Sequence, residues 1–330
     1  MLPSERLSLA KSLLRTGLHQ LGGIQAFRAR SKNALRILMY HNFPADRAGL
    51  RSQCEHLRRY YNPVSMRQVS EALTGGAPLP GNAVAVTIDD GYRDYFLSAY
   101  PVFHEFGIPT TVFLVSEFMD GHDWNWWDKI LYALQQTSAT EFELQLNGQR
   151  RVLPVLRGQE YGQMHQLAQD LKMLTSGQRR AELAQLFKQL DVSVPEKPPT
   201  WCEPMTWDEV RQLAKTNVEF GAHTKTHPIL STVDSKQELE DEIRGSLKRV
   251  EEELDAPVLH FCYPNGRNED IGEEALRVTR ESGFRTAVTT VPGMNRIGPG
   301  IDPFQLKRLG TDPGFPDYYF AELLAGVRTG

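Results

Sequence analysis

Cysteine is scarce in this chain: Cys54, Cys202 and Cys262 are widely spaced and odd in number. That excludes a disulfide framework and a CxxC zinc site, and leaves buried thiols in a reducing compartment as the simpler reading. Neither sign of charge is in surplus, with 37 Lys and Arg against 41 Asp and Glu and a net charge of −4. A surface built for polyanions has no support, so nucleic acid is not an expected partner. No apolar run is long enough to cross a membrane. No secretory leader is legible, because Lys11 and Arg15 interrupt the first apolar residues and no small-residue cleavage site follows. A cytoplasmic location is expected from that, with a substrate reachable from the inner membrane face. Repeats and low-complexity tracts are absent too. What is present is 330 residues, 40% of them hydrophobic, enough for one large domain or two modest ones.

Leu7, Ala10, Leu14, Leu18 and Leu21 share a helical spacing with Arg6, Lys11 and Arg15 among them. Residues 1–34 therefore read as an amphipathic helical segment, either packed on the main domain or in peripheral contact with a membrane. Residues 35–330 read as the main domain, in which short apolar runs alternate with helical periods. Strands are expected at Ile37–Tyr40, Ala83–Ile88, Thr110–Val115, Val218–Ala222, Val258–Cys262, Thr286–Thr290 and Leu306–Leu309. Helices are expected at Leu50–Tyr60, Met66–Leu73, Tyr95–Phe106, Trp207–Lys215, Ser235–Leu254 and Glu273–Glu281, with a capping box at Thr206 and Glu209. The rhythm changes over about 118–204, which reads as a mainly helical insertion. It opens with Trp124-Asn125-Trp126-Trp127, continues as a hairpin over Phe142–Val155 turning at Asn147-Gly148, and ends as a helical segment from Tyr161 to Leu190. The tryptophans either stack on sugar rings or anchor the insertion. Repeated β–α units imply an α/β fold with a parallel sheet, closed as a barrel or open and doubly wound.

In either sheet, sites lie at the carboxyl ends of strands. Asp89 and Asp90 sit there, between the apolar run Ala83–Val86 and Gly91. Two like charges at the tip of a buried strand are costly unless a cation joins them. His223 and His227 are four apart, a spacing that on a helical turn puts both imidazoles on one face. With Asp90 they make three ligands and leave a position for water, the pattern of a catalytic metal site. Such a metal lowers the pKa of water and polarises a carbonyl, and Asp89 is left to take a proton. The donor set suits Zn2+ first, with Co2+, Ni2+ and Fe2+ also compatible. His41 and Tyr263-Pro264-Asn265-Gly266 fall at strand ends as well.

Thr87-Ile88-Asp89-Asp90-Gly91-Tyr92 resembles the TFDDG motif of the polysaccharide deacetylases, the NodB-homology group also called carbohydrate esterase family four. His223-Thr224-Lys225-Thr226-His227-Pro228 resembles its H-S/T-x-x-H-P motif. The likeness spans most of residues 35–310, the insertion aside. It implies a distorted (β/α)7 barrel and removal of N-acetyl groups from amino sugars of an envelope polysaccharide or lipid-linked precursor. Asp90, His223 and His227 would then be metal ligands and Asp89 the base. Tyr92, Tyr263, Pro264 and Gly266, in the same motifs, would contact substrate. Two departures stand out. The third motif commonly reads Arg-Pro-Pro-Tyr-Gly, but here it reads Cys262-Tyr263-Pro264-Asn265-Gly266, without the arginine that orients the base. Arg308 is a candidate substitute, or else a structural ion-pair partner. The Asn265 N–H would be the matching oxyanion donor, unless the stretch is a plain turn. No histidine follows His260, but Leu38-Met39-Tyr40-His41 resembles the MYH segment of circularly permuted members acting on poly-N-acetylglucosamine. That likeness gives His41 the general-acid role. Rival readings are hydrolysis of another amide, such as a formyl group, and a glycan-binding barrel without chemistry, which the missing arginine favours.

Overall fold

The computed structural model describes residues 23–328 other than Asn147. The expected helix at Leu7–Leu21 and the first residue of the Asn147-Gly148 turn lie outside the described residues. A helix at Gly23–Arg30 precedes the first strand.

The strands are β1 (Ala34–Tyr40), β2 (Asn62–Pro63), β3 (Ala83–Ile88), β4 (Thr110–Leu114), β5 (Glu141–Leu146), β6 (Gln149–Pro154), β7 (Val218–Ala222), β8 (His260–Cys262), β9 (Thr286–Pro292), β10 (Asn295–Arg296) and β11 (Leu306–Gly310). Seven of them, in the order β1-β3-β4-β7-β8-β9-β11, form a parallel barrel. It is closed by β1 against β11 at Leu38–Leu309, and by β1 against β3 from Arg36–Val84 to Tyr40–Ile88. The open alternative is thereby excluded, and the expected distorted (β/α)7 barrel is the fold. Every residue of β3 is buried, which is why such strands read as unbroken apolar runs.

Alternation sorts the strand residues into two layers. Leu35, Ile37, Ala83, Ala85, Phe113, Cys262, Val288 and Leu306 cluster together, while Leu38, Val84, Val86, Val112, Phe261 and Leu309 pack in a second cluster that also takes in helix residues such as Leu57, Phe103 and Val250. Gly221 on β7 makes room for Phe113, because a Cβ there would lie 2.5 Å from the Phe113 ring.

Two expected helices change character midway. Tyr95–Phe106 opens as a wide turn over Tyr95–Ala99 and continues as an α-helix over Tyr100–Glu105. Pro101 has no N–H for the preceding turn, and the Leu97 carbonyl accepts from Arg47 instead. Ser235–Leu254 is helical with one wide turn over Asp241–Gly245. Between β4 and β7 the chain makes a long excursion. It contains helices at Trp126–Gln136, Glu160–Leu171 and Ser176–Gln189 and the antiparallel hairpin β5–β6. The excursion has its own core, with Ile130, Leu134, Phe142, Leu144, Leu167, Leu171, Leu186 and Leu190. Tyr161–Leu190 is thus two helices rather than one segment. Thr175 caps the second, with its hydroxyl on the Gln178 N–H and the Gln178 side chain on the Thr175 N–H.

Candidate active site

The carboxyl ends of the barrel strands bring His41, Asp89, Asp90, His223, His227 and Asn265 to one cleft of about 350 Å³. Asp90 Oδ1 lies 3.5 Å from His223 Nε2 and 3.6 Å from His227 Nε2. This oxygen is buried and has no hydrogen-bond partner. A buried carboxylate oxygen facing two imidazole nitrogens calls for an explanation, and a divalent cation between them supplies one. The three residues could hold a metal ion, their ligand atoms lying within 4.8 Å of one another. His223 Nδ1 lies 2.7 Å from the Cys262 carbonyl, so Nδ1 carries the proton and Nε2 presents its lone pair to the cluster.

His223 and His227 are not on a helix. They flank an irregular loop in which Thr224 and His227 take positive φ, 65° and 54°. Asp90 and Asn265 do the same, at 73° and 57°. A β-branched residue at positive φ is strained, and such strain gathers where the surroundings fix the backbone for a purpose. The fixing groups here are Thr224 Oγ1, which accepts the His227 N–H at 3.0 Å, and Glu242. Glu242 accepts from the N–H groups of Lys225 and Thr226, both at 2.9 Å, and from the Thr226 hydroxyl at 2.6 Å. It projects from the wide turn Asp241–Gly245, a distortion common near functional sites.

Asp89 is held differently. Arg308 Nη1 and Nη2 donate to its two oxygens, each at 2.7 Å, in a fork that both side chains make in full burial. Arg308 also donates to the Thr289 carbonyl at 2.8 Å and to the Thr87 hydroxyl at 3.0 Å. Burial alone would raise the Asp89 carboxyl, but the charge and hydrogen bonds of Arg308 outweigh it and hold the group below its ordinary value. The arginine missing from the third motif thus has a counterpart on another strand, facing the same carboxylate. His41 Nε2 lies 3.7 Å from Asp89 Oδ2, with its side chain 45% exposed to the cleft. The Asp94 carboxylate anchors its loop through the Phe43 N–H at 2.8 Å. A second grouping of Asp89, His223 and Cys262 also falls within 4.8 Å, but the guanidinium already engaging Asp89 repels a cation there.

Four expected substrate contacts are corrected. Tyr92 is buried, its hydroxyl donating to Asp128 at 2.6 Å and accepting from Asn125 at 2.9 Å and Trp127 at 3.1 Å. Tyr263 is fully buried and packs edge-on against Phe261 in the core. Pro264 and Gly266 are buried in the turn, where a Cβ on Gly266 would lie 2.7 Å from the Thr290 nitrogen. None of the four lines the cleft. Asn265 does, and its carbonyl accepts from the Thr290 hydroxyl. Of the tryptophans, Trp124 is buried against Tyr92, Val115 and Phe118, and its Nε1 donates within the excursion to the Pro195 carbonyl at 3.0 Å. Trp126 and Trp127 line the cleft, the latter edge-on to His227 at 4.6 Å between centroids.

Sequence reasoning missed Glu242, Asp128 and the cleft-facing residues of the excursion. Asp128 is buried at the cleft wall, and that burial pushes its carboxyl up to about 7. Tyr161, Met164, His165, Ala168 and Gln169 line the cleft from one helix. Their spacing of three and four is the visible signal, readable before as core packing alone.

The family model for polysaccharide deacetylases matches residues 76–287. The chain belongs to the polysaccharide deacetylase family. Within it, a 74-residue stretch is 39% identical to the poly-beta-1,6-N-acetyl-D-glucosamine N-deacetylase of Escherichia coli (strain K12). That stretch takes in 22% of this chain and 11% of the relative's length. Two solved structures share the barrel. IcaB from Ammonifex degensii superposes with a TM-score of 0.56 at 17% identity, over 89% of this polysaccharide deacetylase and 97% of that chain. The Streptococcus pyogenes deacetylase PplD, in complex with acetate, gives 0.56 at 15% identity over 88% and 98%. No helix among the described residues is long and apolar enough to cross a membrane.

Proposed function

We propose that this polysaccharide deacetylase is a metal-dependent hydrolase that removes acetyl groups from N-acetylated amino sugars of an envelope glycan or its lipid-linked precursor. The observation that carries the reading is the pairing, in one cleft, of an unpartnered Asp90 oxygen facing two imidazoles with an arginine-held Asp89 beside it. A divalent cation on Asp90, His223 and His227, zinc foremost, would supply the charge that acidifies a water and polarises an amide carbonyl. Asp89 takes the proton from the attacking water, and Arg308 fixes its two oxygens so that one stays turned to the cleft. The Asn265 N–H, for which no described residue acts as acceptor, donates to the oxygen of the tetrahedral intermediate. His41, within 4 Å of Asp89 and open to the cleft, delivers a proton to the departing sugar nitrogen. The glycan-binding alternative was favoured by the missing arginine, and the Arg308 fork on Asp89 supports the catalytic reading over it.

The test is acetate release by the metal-loaded protein from β-1,6-linked N-acetylglucosamine oligomers. Asp89→Asn should keep the metal and lose turnover by about 10³-fold. His223→Ala should lose both. Full activity in Asp89→Asn would refute the assignment of the base, and formate release in preference to acetate from N-formyl analogues would redirect the acyl group.

A further inference from the structure

Six of the seven strands in the barrel ring send a residue to the cleft from near their ends or from the loop after them, and β4 leads into the excursion, whose Trp126 and Trp127 line the same cleft. The excursion leaves this ring after β4 and comes down on its far side. The helix Glu160–Leu171 presents Tyr161, Met164, His165, Ala168 and Gln169 downward into the cleft. Near its start, Tyr161 lines the cleft together with Asp312, which follows β11, and Asp128 on the excursion itself. Just past its end, Lys172 is paired at 3.5 Å with Asp270 in the segment after β8, both side chains buried. The next helix is tied to the segment after β7, where Asp234 accepts the Gly177 N–H at 3.0 Å. Round the ring, β8 lies two strands from β4 one way and β11 three strands from it the other way. The helix therefore lies over the β8–β11 side of the mouth, away from β4, and is fixed there by a buried ion pair, a connection costly to break.

Given the deacetylase reading, on which this step rests, we propose that the excursion is a fixed roof and that the cleft takes a single chain-end N-acyl amino sugar. A polymer threaded through the site would need a groove open at two opposite ends. About 350 Å³ lies at the small end of ligand cavities and suits one or two sugar rings. Trp126, Trp127 and Tyr161 give that ring apolar faces on the roof side, and Asp128 and Gln169 give it polar ones.

The experiment uses the metal-loaded full chain and a β-1,6-linked N-acetylglucosamine pentasaccharide, with mass-spectrometric fragmentation locating each freed amine. The expected result is one free amine, confined to a terminal residue. A triple variant, Tyr161→Ala, His165→Ala and Gln169→Ala, changes only exposed side chains on the roof. It should retain its metal, raise KM about tenfold and spread the freed amines to interior residues. Wild-type protein that frees interior and terminal residues alike overturns the roof proposal while leaving deacetylation intact. No acetate from any oligomer refutes the deacetylase reading and takes this proposal with it.

Discussion

The floor of the cleft is built from the last residues of barrel strands, whereas its roof is a helix arriving from an excursion with a separate core. On the floor, position is set by main-chain pairing. Asp89 and Asp90 follow β3 because β3 is paired on both sides, and His223 follows β7 in the same way. On the roof, position is set by side chains, such as Lys172 on Asp270 and Thr175 capping the helix behind it. Chemistry placed on the floor is held by the whole barrel. Contacts placed on the roof can change without disturbing that chemistry, so the roof is where selectivity can vary.

Substitutions should separate the two regions, beginning with the largest effect. Arg308→Met strands Asp89 as an unpaired buried charge and should cost about 3–5 kcal/mol of stability along with nearly all activity. Arg308→Lys keeps the charge but not the fork, and should fold while losing about 10–100-fold in kcat, read by acetate release. On the roof, Lys172→Met strands Asp270 and should lower stability by about 3 kcal/mol in denaturant melts. Adding Asp270→Leu should recover much of that loss. If Lys172→Met instead abolishes turnover with its metal retained, floor and roof are not separable.

The smallest effect concerns acid. His260 opens β8 and is buried, with Glu219, Arg67, Arg285 and Thr286 around it; burial lowers its pKa to about 3. The unfolded chain, near 6.5, binds the proton more readily, so the folded state loses stability as pH falls from 6.5 toward 3. Between pH 7 and pH 5 the loss from this group should be about 2 kcal/mol, and His260→Gln should flatten that part of the profile in thermal melts. The loss belongs to the barrel, and an excursion that melts first in acid would contradict it.

Much of the floor was legible because parallel strands buried on both faces leave unbroken apolar runs, and a polar residue directly after one stands out. Asp89, Asp90, His41 and His223 all follow that rule. Arg308 was legible in part: it lies two residues after Leu306 on one strand, hence on the same inward face. The loop carrying His227 was not legible. An i, i+4 histidine pair suits a helix, and only Glu242, supplied by a turn far along the chain, holds the loop otherwise. Tyr92 and Tyr263 misled because a motif position does not say which way a ring turns, and both turned inward. The break at Thr175 was written as Thr175-Ser176-Gly177-Gln178, a capping box inside a sequence rich enough in Gln and Leu to look continuous.

Arg308 reaches from β11 to the Thr289 carbonyl on β9, to Thr87 on β3 and to Asp89 just beyond it. One guanidinium thus ties β11 to β9 and β3 and is also the partner of the proposed base. For an engineer wanting an inert scaffold that still presents the roofed pocket as a sugar sensor, deleting Asp89 alone would be the wrong edit, since it orphans a buried cation. Replacing Asp89 and Arg308 together with apolar residues of matched volume removes both charges at once, and buried pairs exchanged in that way often leave a protein as stable or more so.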